Sequence, residues 1–125
     1  MILGIGSDLA EVARIRASRL RFGDRFLRRV YTEAEIAYSS AKANIDERFA
    51  ARFAAKEAGM KALGTGLAGG VTWLDFAVGR ESSGKPTLSL TGAAARIAES
   101  RGIRKIHLTI SHTAEMAMAV VVMED

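Results

Sequence analysis

The chain has 125 residues, a length typical of one domain with one hydrophobic core, and we expect a single domain over residues 1–125. Its 49% hydrophobic and 26% charged residues exclude an intrinsically disordered or fibrous chain. Because it has no cysteine, disulfides and thiolate metal sites are excluded, and we expect a cytoplasmic protein. The net charge of +4 favours an anionic partner: a nucleic acid, an acidic protein or a phosphorylated ligand.

One strand and three helices are predicted in the first half of the chain. The strand is Met1–Asp8, and the helices are Leu9–Tyr31, Thr32–Ala43 and Asp46–Leu63. Thr32 followed by Glu35 is the pattern of a capping box, in which each side chain bonds the other residue's backbone N–H. Asp46 stands where an N-cap is expected, and Gly64 follows the last apolar residue as a helix stop.

Hairpins and one further helix are predicted in the second half. A glycine loop at Gly64–Gly70 is followed by strands at Val71–Gly79 and Lys85–Leu90, a helix at Thr91–Arg101, and strands at Ile103–Ser111 and Glu115–Met123. Helices and antiparallel hairpins that occupy separate segments indicate an α+β domain. We expect the longest helix, Asp46–Leu63, to be central and to pack against the antiparallel strands.

The long helix is small or apolar on nearly every side, so other elements are expected to surround it. It nevertheless contains Arg52, Lys56, Glu57 and Lys61, and buried charges need partners. One interpretation is a pair between Glu57 and Lys61 at positions i and i+4. The other is that these charges line a cleft, where a ligand and a metal ion complete the pairing.

Asp8, at the end of the first strand, also has two interpretations. It can cap the helix predicted to follow it, which is a common role for aspartate. Alternatively, Asp8 and Glu57 can hold one Mg²⁺, an ion that takes one or two protein carboxylates together with ligand phosphates and water.

Two motifs near the later strands concern phosphate binding. Gly79–Lys85 (GRESSGK) matches the start of a P-loop, but Pro86 and a strand follow it, so a tight hairpin turn with Lys85 free to reach a phosphate fits better. Ser111 and His112 cannot be triad partners, because neighbouring strand side chains point to opposite faces. His112 can be a structural residue, or, at a strand end between two hydroxyl residues, it can bind a phosphate.

The segment predicted as the first helix is rich in arginine. It contains Arg14, Arg16, Arg19, Arg21, Arg25, Arg28 and Arg29, against only Glu11 and Asp24. A solvated basic face, a nucleic-acid surface and a docking surface for an acidic protein all fit this composition. No RNP, KH or helix-turn-helix signature is present in it.

Several motifs occur together over nearly the whole chain. They are GIGSD at Gly4–Asp8 followed by Arg14, RFAAKEAGMKALGTG at Arg52–Gly66, GKP at Gly84–Pro86 and ISHT at Ile110–Thr113. In this order they resemble the holo-acyl carrier protein synthases, stand-alone bacterial members of the 4′-phosphopantetheinyl transferase superfamily. The resemblance implies that fold and a Mg²⁺-dependent enzyme of fatty acid biosynthesis. Such an enzyme transfers 4′-phosphopantetheine from coenzyme A to a serine of apo-acyl carrier protein and releases adenosine 3′,5′-bisphosphate.

The resemblance also implies site residues and an assembly. Asp8 and Glu57 would hold Mg²⁺ and, with Lys61, act in catalysis. Contacts with coenzyme A would come from Arg52, Lys56, Gly64, Lys85, Pro86, His112 and Thr113, with Lys42 or Arg48 joining Arg52 at the 3′-phosphate. The acidic carrier protein would be received by Arg14, Arg21, Arg25, Phe26 and Arg29.

The implied assembly is a homotrimer with active sites between protomers, and neither a membrane nor a nucleic acid is a partner. Two rival functions predict different behaviour. A non-catalytic nucleic-acid-binding domain would lose affinity steeply with salt and ignore coenzyme A. A module that binds coenzyme A without catalysis would tolerate loss of Lys61.

Overall fold

The computed structural model describes all residues, Met1–Asp125. Its strands are β1 (Ile2–Glu11), β2 (Phe76–Arg80), β3 (Pro86–Leu90), β4 (Lys105–His112) and β5 (Met116–Glu124). Its helices are α1 (Val12–Phe22), α2 (Asp24–Val30), α3 (Glu33–Ser40), α4 (Ile45–Leu63) and α5 (Gly92–Ser100). The α+β class predicted from the sequence is confirmed. None of the helices is long and apolar enough to cross a membrane.

The strands form two antiparallel sheets around α4. One sheet has the order β1-β5-β4, and β2 pairs with β3 in a separate hairpin. Helix α4 packs on the β1-β5-β4 sheet and also contacts β2, α1, α3 and α5. Most of its residues are buried, and the apolar ones among them belong to one core cluster, so the prediction that other elements surround this helix is confirmed.

Two glycines let β1 lie directly against the backbone of α4. A Cβ atom at Gly4 would stand 2.0 Å from the Ala62 carbonyl oxygen, and one at Gly6 would stand 2.2 Å from the Ala58 carbonyl oxygen. No side chain fits at such distances. The close approach brings Asp8, two residues after Gly6, beside the C-terminal half of α4.

The segment 9–31 differs from its prediction as one helix. Strand β1 continues to Glu11 because its pairing with β5 extends as far as Met116. Two helices follow, separated by Gly23 at φ +57°, a conformation that ends the first helix and that glycine adopts without strain. The alternative role of Asp8 as a helix cap is therefore wrong, because Asp8 lies within the strand.

The segment 71–79 is also only partly a strand. Its first residues form a single 3₁₀ turn, Trp73–Asp75, and β2 begins at Phe76. Asp75 binds the start of α5 instead of a neighbouring strand: its Oδ2 accepts from the Ala94 N–H at 3.2 Å, and its carbonyl accepts from the Thr91 N–H at 2.8 Å.

The predicted helix caps have different outcomes. The capping box is confirmed, since the Thr32 hydroxyl accepts from the Glu35 N–H at 3.2 Å and Glu35 Oε1 accepts from the Thr32 N–H at 2.8 Å. The cap at Asp46 is wrong, because Asn44 precedes α4. The buried Asp46 carboxylate instead accepts from Arg19 and Arg16, and hydrogen bonds from Arg19 are the main cause of its lowered pKa.

The remaining elements agree with prediction to within a few residues at their ends. β4 and β5 form the predicted final hairpin, and α5 is the predicted helix after β3. The GRESSGK segment is a hairpin turn, in which the Glu81 N–H donates to the Lys85 carbonyl at 2.9 Å and Gly84 has φ +91°.

Candidate active site

A cleft of about 600 Å³ lies between β1, α1, α2 and α4. Asp8 from β1 and Glu57 from α4 both line it, together with Arg14 and Phe26 from the basic helices. The close packing of β1 on α4 explains this meeting of two carboxylates that are 49 residues apart in the chain. The structure thus brings together four residues that the sequence analysis selected.

Lys61 stands at an adjoining pocket of about 430 Å³, which it lines with Asp8, Leu9 and Met118. Its ammonium donates to Asp8 Oδ1 and to the Ser7 carbonyl, each at 3.0 Å. The Lys61 side chain is 56% exposed and that of Asp8 is 16% exposed, so the lysine remains accessible to a ligand. The alternative pair of Glu57 with Lys61 is wrong, because Asp8 is the partner of this lysine.

Glu57 has a partner that sequence reasoning missed. Its Oε1 accepts from Trp73 Nε1 at 3.3 Å. Trp73 lies in the 3₁₀ turn before β2, and no spacing pattern in the sequence links it to the helix.

The donor set in the cleft fits Mg²⁺. Asp8, Glu11 and Glu57 are the acidic residues that line the cleft, and no group of three or more histidine or acidic side chains is positioned to hold a metal. Mg²⁺ is commonly bound through one or two carboxylates plus substrate phosphates, with water in the remaining positions. Asp8 and Glu57 are therefore a suitable pair if a phosphate ligand supplies further oxygens.

A second pocket, of about 170 Å³, is strongly cationic. Arg48, Arg52, Arg80 and His112 line it, and Glu47 Oε1 lies 3.2 Å from His112 Nδ1. Arg52 is only 7% exposed and its Nε has no hydrogen-bond partner. Burial lowers the pKa of Arg52; the charge of Glu35 opposes this shift, and the charge of Arg48 adds to it. Because buried guanidinium groups need anionic partners, this pocket suits a phosphate group.

Tyr38 from α3 organises these cations, and both it and Arg80 were missed in the sequence. The ring centroid of Tyr38 is 4.3 Å from Arg52 Cζ, 5.3 Å from Arg80 Cζ and 4.9 Å from Lys42 Nζ. Arg80 also donates to the Tyr38 hydroxyl. Of the two basic residues left open by the sequence, Arg48 lines the pocket, whereas Lys42 packs on the Tyr38 ring.

Four other predicted coenzyme A contacts lie in turns or at a turn edge. Pro86 lines the cationic pocket, and the exposed Lys85 precedes it in the β2–β3 turn. Thr113 lies between β4 and β5, where its hydroxyl oxygen accepts from the backbone N–H groups of Glu115 and Met116. Gly64 ends α4 at φ +82°. This left-handed conformation is by itself a reason for glycine at this position, without a contact to coenzyme A.

Lys56 lies in the interior of the protein. Its side chain is fully buried, and its ammonium lies 2.8 Å from Glu35 Oε1, 2.5 Å from the Phe76 carbonyl and 3.2 Å from the Trp73 carbonyl. Burial lowers the pKa of Lys56, an effect that Glu35 opposes. This position does not support the predicted contact with coenzyme A. Glu35, which the sequence marked only as a cap, also accepts from the Val78 N–H at 2.6 Å.

The arginines of α1 and α2 divide into two groups. Arg16 and Arg19 bind Asp46, and Arg28 Nη1 lies 3.7 Å from Glu33. The other arginines are exposed and pair with no acid; they are Arg14, Arg21, Arg25 and Arg29. Arg25 and Arg29 line a pocket of about 260 Å³ with Phe22 and Phe26. The unpaired group is the same set of arginines that the sequence analysis assigned to an acidic partner.

Comparison with known proteins identifies the class to which this fold and site belong. The family model of the 4′-phosphopantetheinyl transferase superfamily matches residues 4–121, and the chain therefore belongs to this family of transferases. Within it, the chain is 61% identical, over the full length of both, to the holo-[acyl-carrier-protein] synthase of Koribacter versatilis (strain Ellin345). The resemblance drawn from the motifs is confirmed.

Two solved structures support the same assignment. The holo-[acyl-carrier-protein] synthase of Neisseria meningitidis is 34% identical with a TM-score of 0.91, and the alignment covers 100% of both chains. The Helicobacter pylori enzyme, in complex with coenzyme A, is 32% identical with a TM-score of 0.84 over 96% of this chain and 99% of that one.

Proposed function

We propose that this chain transfers 4′-phosphopantetheine from coenzyme A to a serine hydroxyl of apo-acyl carrier protein in support of fatty acid biosynthesis. The observation that carries the proposal is that Asp8 meets Glu57 at one cleft and Lys61 at the adjoining pocket, while a further pocket holds three arginines without an acidic partner. The names of the relatives support it independently. We place the reaction in the cytoplasm, because a chain without cysteine suits a reducing compartment.

The chemistry is a phosphoryl transfer. The serine Oγ forms a bond to the phosphorus on the pantetheine side, the bond from that phosphorus to the bridging oxygen breaks, and adenosine 3′,5′-bisphosphate leaves. The serine proton passes to a base, either water or Lys61 in its neutral amine form. Positioning and stabilisation of negative charge on the phosphate oxygens lower such barriers.

In this scheme Asp8 and Glu57 are the residues that would hold Mg²⁺. The ion, when bound, neutralises part of the phosphate charge. Lys61 stands beside Asp8 with its side chain half exposed, so its ammonium can reach phosphate oxygens near the metal carboxylates. Its positive charge stabilises the charge that develops as the bridging bond breaks.

The cationic pocket receives the 3′-phosphate of coenzyme A. The motifs assigned Arg52 and His112 to this phosphate, together with Lys42 or Arg48. We choose Arg48, which lines the pocket, and add Arg80, which lines it too. Lys85, Pro86 and Thr113 lie in the adjacent turns and flank the adenosine. The unsatisfied Nε of Arg52 supports this assignment, since an anion supplies the acceptor that the protein lacks.

The unpaired arginines of α1 and α2 receive the acidic carrier protein. Arg14 and Phe26 border the catalytic cleft, and Arg25 and Arg29 continue the surface away from it. A carrier helix docked there would bring its serine near Asp8 and Glu57. Such a charged surface speeds association and makes it dependent on salt.

We also propose a homotrimer with active sites between protomers. The face of the β1-β5-β4 sheet opposite α4 exposes apolar side chains, with Ile5 66%, Leu9 65% and Met118 40% exposed. Leu9 and Met118 also line the pocket of Lys61, so a neighbour that covers this face comes against the site. Light scattering is expected to give three times the chain mass, whereas a fully active monomer would contradict shared sites.

The activity itself is tested by incubating the protein with apo-acyl carrier protein, coenzyme A and Mg²⁺ and measuring the mass of the carrier. We expect the added mass of the prosthetic group, its loss with EDTA, and its return with Mg²⁺. Asp8→Asn and Glu57→Gln are expected to abolish transfer without unfolding the protein. Full activity in chelator, or DNA binding that ignores coenzyme A, would contradict the proposal.

A further inference from the structure

Trp73 connects the catalytic cleft to a buried ion pair. The indole Nε1–H of Trp73 donates to Glu57 Oε1 at 3.3 Å, and the backbone carbonyl of the same residue accepts from Lys56 Nζ at 3.2 Å. Lys56 and Glu57 are neighbours on α4, and their side chains bind the backbone carbonyl and the indole N–H of the same tryptophan. The 3₁₀ turn is thereby bound to the helix through both its backbone and its side chain.

The buried end of this connection is rigid. Lys56 Nζ also donates to the Phe76 carbonyl at 2.5 Å and lies 2.8 Å from Glu35 Oε1, where both charged side chains are almost completely buried. Glu35 Oε2 in turn accepts from the Val78 N–H at 2.6 Å. The ion pair therefore ties α3, α4 and the start of β2 together around the 3₁₀ turn, which leaves Trp73 little freedom to move.

We propose that Trp73 is a positioning residue, which orients the Glu57 carboxylate for Mg²⁺ and is itself held by the Lys56–Glu35 pair. This inference rests on the proposed role of Glu57 as a metal ligand. Carboxylates that bind metals are commonly hydrogen-bonded by outer groups, and these groups fix the orientation of the free oxygens. An indole N–H suits this role because it can only donate and does not titrate.

The connection also explains why Lys56 adjoins the site without reaching its ligand. The Lys56 ammonium anchors the backbone of Trp73. The side chain of Trp73 in turn binds Glu57, the residue that follows Lys56 on the helix. Removal of the indole N–H leaves this anchor intact, so Trp73→Phe separates orientation of Glu57 from stability of the turn.

Since Trp73 is the only tryptophan, one indole cross-peak in a ¹⁵N–¹H spectrum reports on this contact. We expect Glu57→Gln to move the indole proton to higher field, because a neutral amide oxygen accepts more weakly than a carboxylate. Glu47→Gln, which removes the same charge from the same helix, is the matched control and is expected to leave the peak in place. Equal peak positions in wild type and Glu57→Gln would overturn the proposal.

Metal binding is measured by calorimetric titration of Mg²⁺ with coenzyme A present and no carrier protein, so that no transfer occurs. Trp73→Phe is expected to weaken Mg²⁺ binding by about 10- to 100-fold. If Glu57→Gln loses Mg²⁺ affinity while Trp73→Phe keeps it, the positioning role is wrong and the proposed function stands. If neither Glu57→Gln nor Asp8→Asn changes Mg²⁺ affinity, the metal site itself is wrong.

If Trp73→Phe fails to fold, the proposal can still be tested on the wild-type protein. With coenzyme A bound, Mg²⁺ is expected to shift the wild-type indole peak in a saturable way, and the Glu57→Gln peak is expected not to respond. A wild-type peak that does not move at saturating Mg²⁺ would overturn the proposal.

Discussion

Lys56 and Lys61 lie five residues apart on the same helix and have opposite surroundings. Lys56 is fully buried and uses its ammonium on Glu35 and two backbone carbonyls. Lys61 is 56% exposed, and Asp8 and the Ser7 carbonyl hold it at the edge of an open pocket. At 100° per residue the two side chains leave the helix roughly 140° apart, so they meet different neighbours.

The comparison shows that residue type does not decide whether a charge is available for chemistry. A buried ammonium with a complete set of acceptors holds elements together and cannot reach a ligand. An ammonium with one carboxylate partner and open space on its other side can change partners when a phosphate arrives. The experiments below test this contrast between enclosed and accessible charges.

The largest expected effect is on stability, at the enclosed lysine. Lys56→Met leaves Glu35 buried without its cation and is expected to lower the free energy of unfolding by about 3–5 kcal/mol. Lys61→Met removes the mostly exposed partner of Asp8 and is expected to cost less, about 1 kcal/mol. Urea unfolding measures both. Equal losses in the two variants would contradict the contrast.

At the accessible lysine the expected loss is catalytic. Lys61→Ala is expected to reduce kcat by about 10²- to 10³-fold, the usual effect of removing one group that stabilises transition-state charge, with little change in coenzyme A affinity. Lys61→Arg keeps the charge but never gives up its proton, and we expect it to recover only a small part of the rate. Steady-state kinetics measure this. Nearly full recovery by arginine would exclude Lys61 as the proton acceptor.

Asp46 is an intermediate case, because its buried carboxylate binds the partly exposed guanidinium groups of Arg19 and Arg16. At neutral pH Asp46→Asn is expected to lower the free energy of unfolding by about 1.5–3 kcal/mol.

The difference between Asp46→Asn and wild type is also expected to depend on pH. Since the arginines hold the folded pKa of Asp46 below its unfolded value, the stabilisation is complete above the unfolded pKa and is lost as pH falls through the folded pKa. Urea unfolding from pH 7 towards pH 3 measures this trend. A gap between the two proteins that stays constant on acidification would contradict it.

The smallest expected effect is at a fully accessible charge. Arg25→Glu is expected to raise the KM for carrier protein about tenfold, equivalent to about 1.4 kcal/mol, and to weaken its dependence on salt. Arg28→Glu carries the same change of charge at an arginine already paired with Glu33 and is the matched control, with a smaller expected effect. An equal loss of coenzyme A affinity in Arg25→Glu would place this arginine at the nucleotide instead.

Local signals predicted much of the fold. The capping box at Thr32, the long helix that ends at Gly64 and the final hairpin all follow from residues close together in sequence, and the structure confirms them. Local signals did not predict the break at Gly23, because it depends on a positive φ within a helical pattern. They did not predict the extension of β1 to Glu11 either, because that extension depends on pairing with β5, which is distant in sequence.

The motifs also selected Asp8, Glu57 and Lys61, and the structure places Asp8 at one cleft with Glu57 and beside Lys61. They did not select Tyr38, Arg80 or Trp73, whose contacts with site residues cross from α3, β2 and the 3₁₀ turn. They assigned Lys56 to coenzyme A, because a lysine beside a predicted catalytic residue looks the same in sequence whether it is buried or exposed.

Residue types and periodicity by themselves determined the α+β class, because these signals are local, and the order of motifs that resembles a known family indicated the superfamily and the three residues proposed for catalysis. Only the folded chain decided which charges are enclosed and which are free. That outcome depends on glycines that let β1 approach α4 and on a glutamate of α3 that reaches Lys56. Burial and pairing are properties of side chains far apart in sequence, and their cost or benefit arises only when the elements pack together.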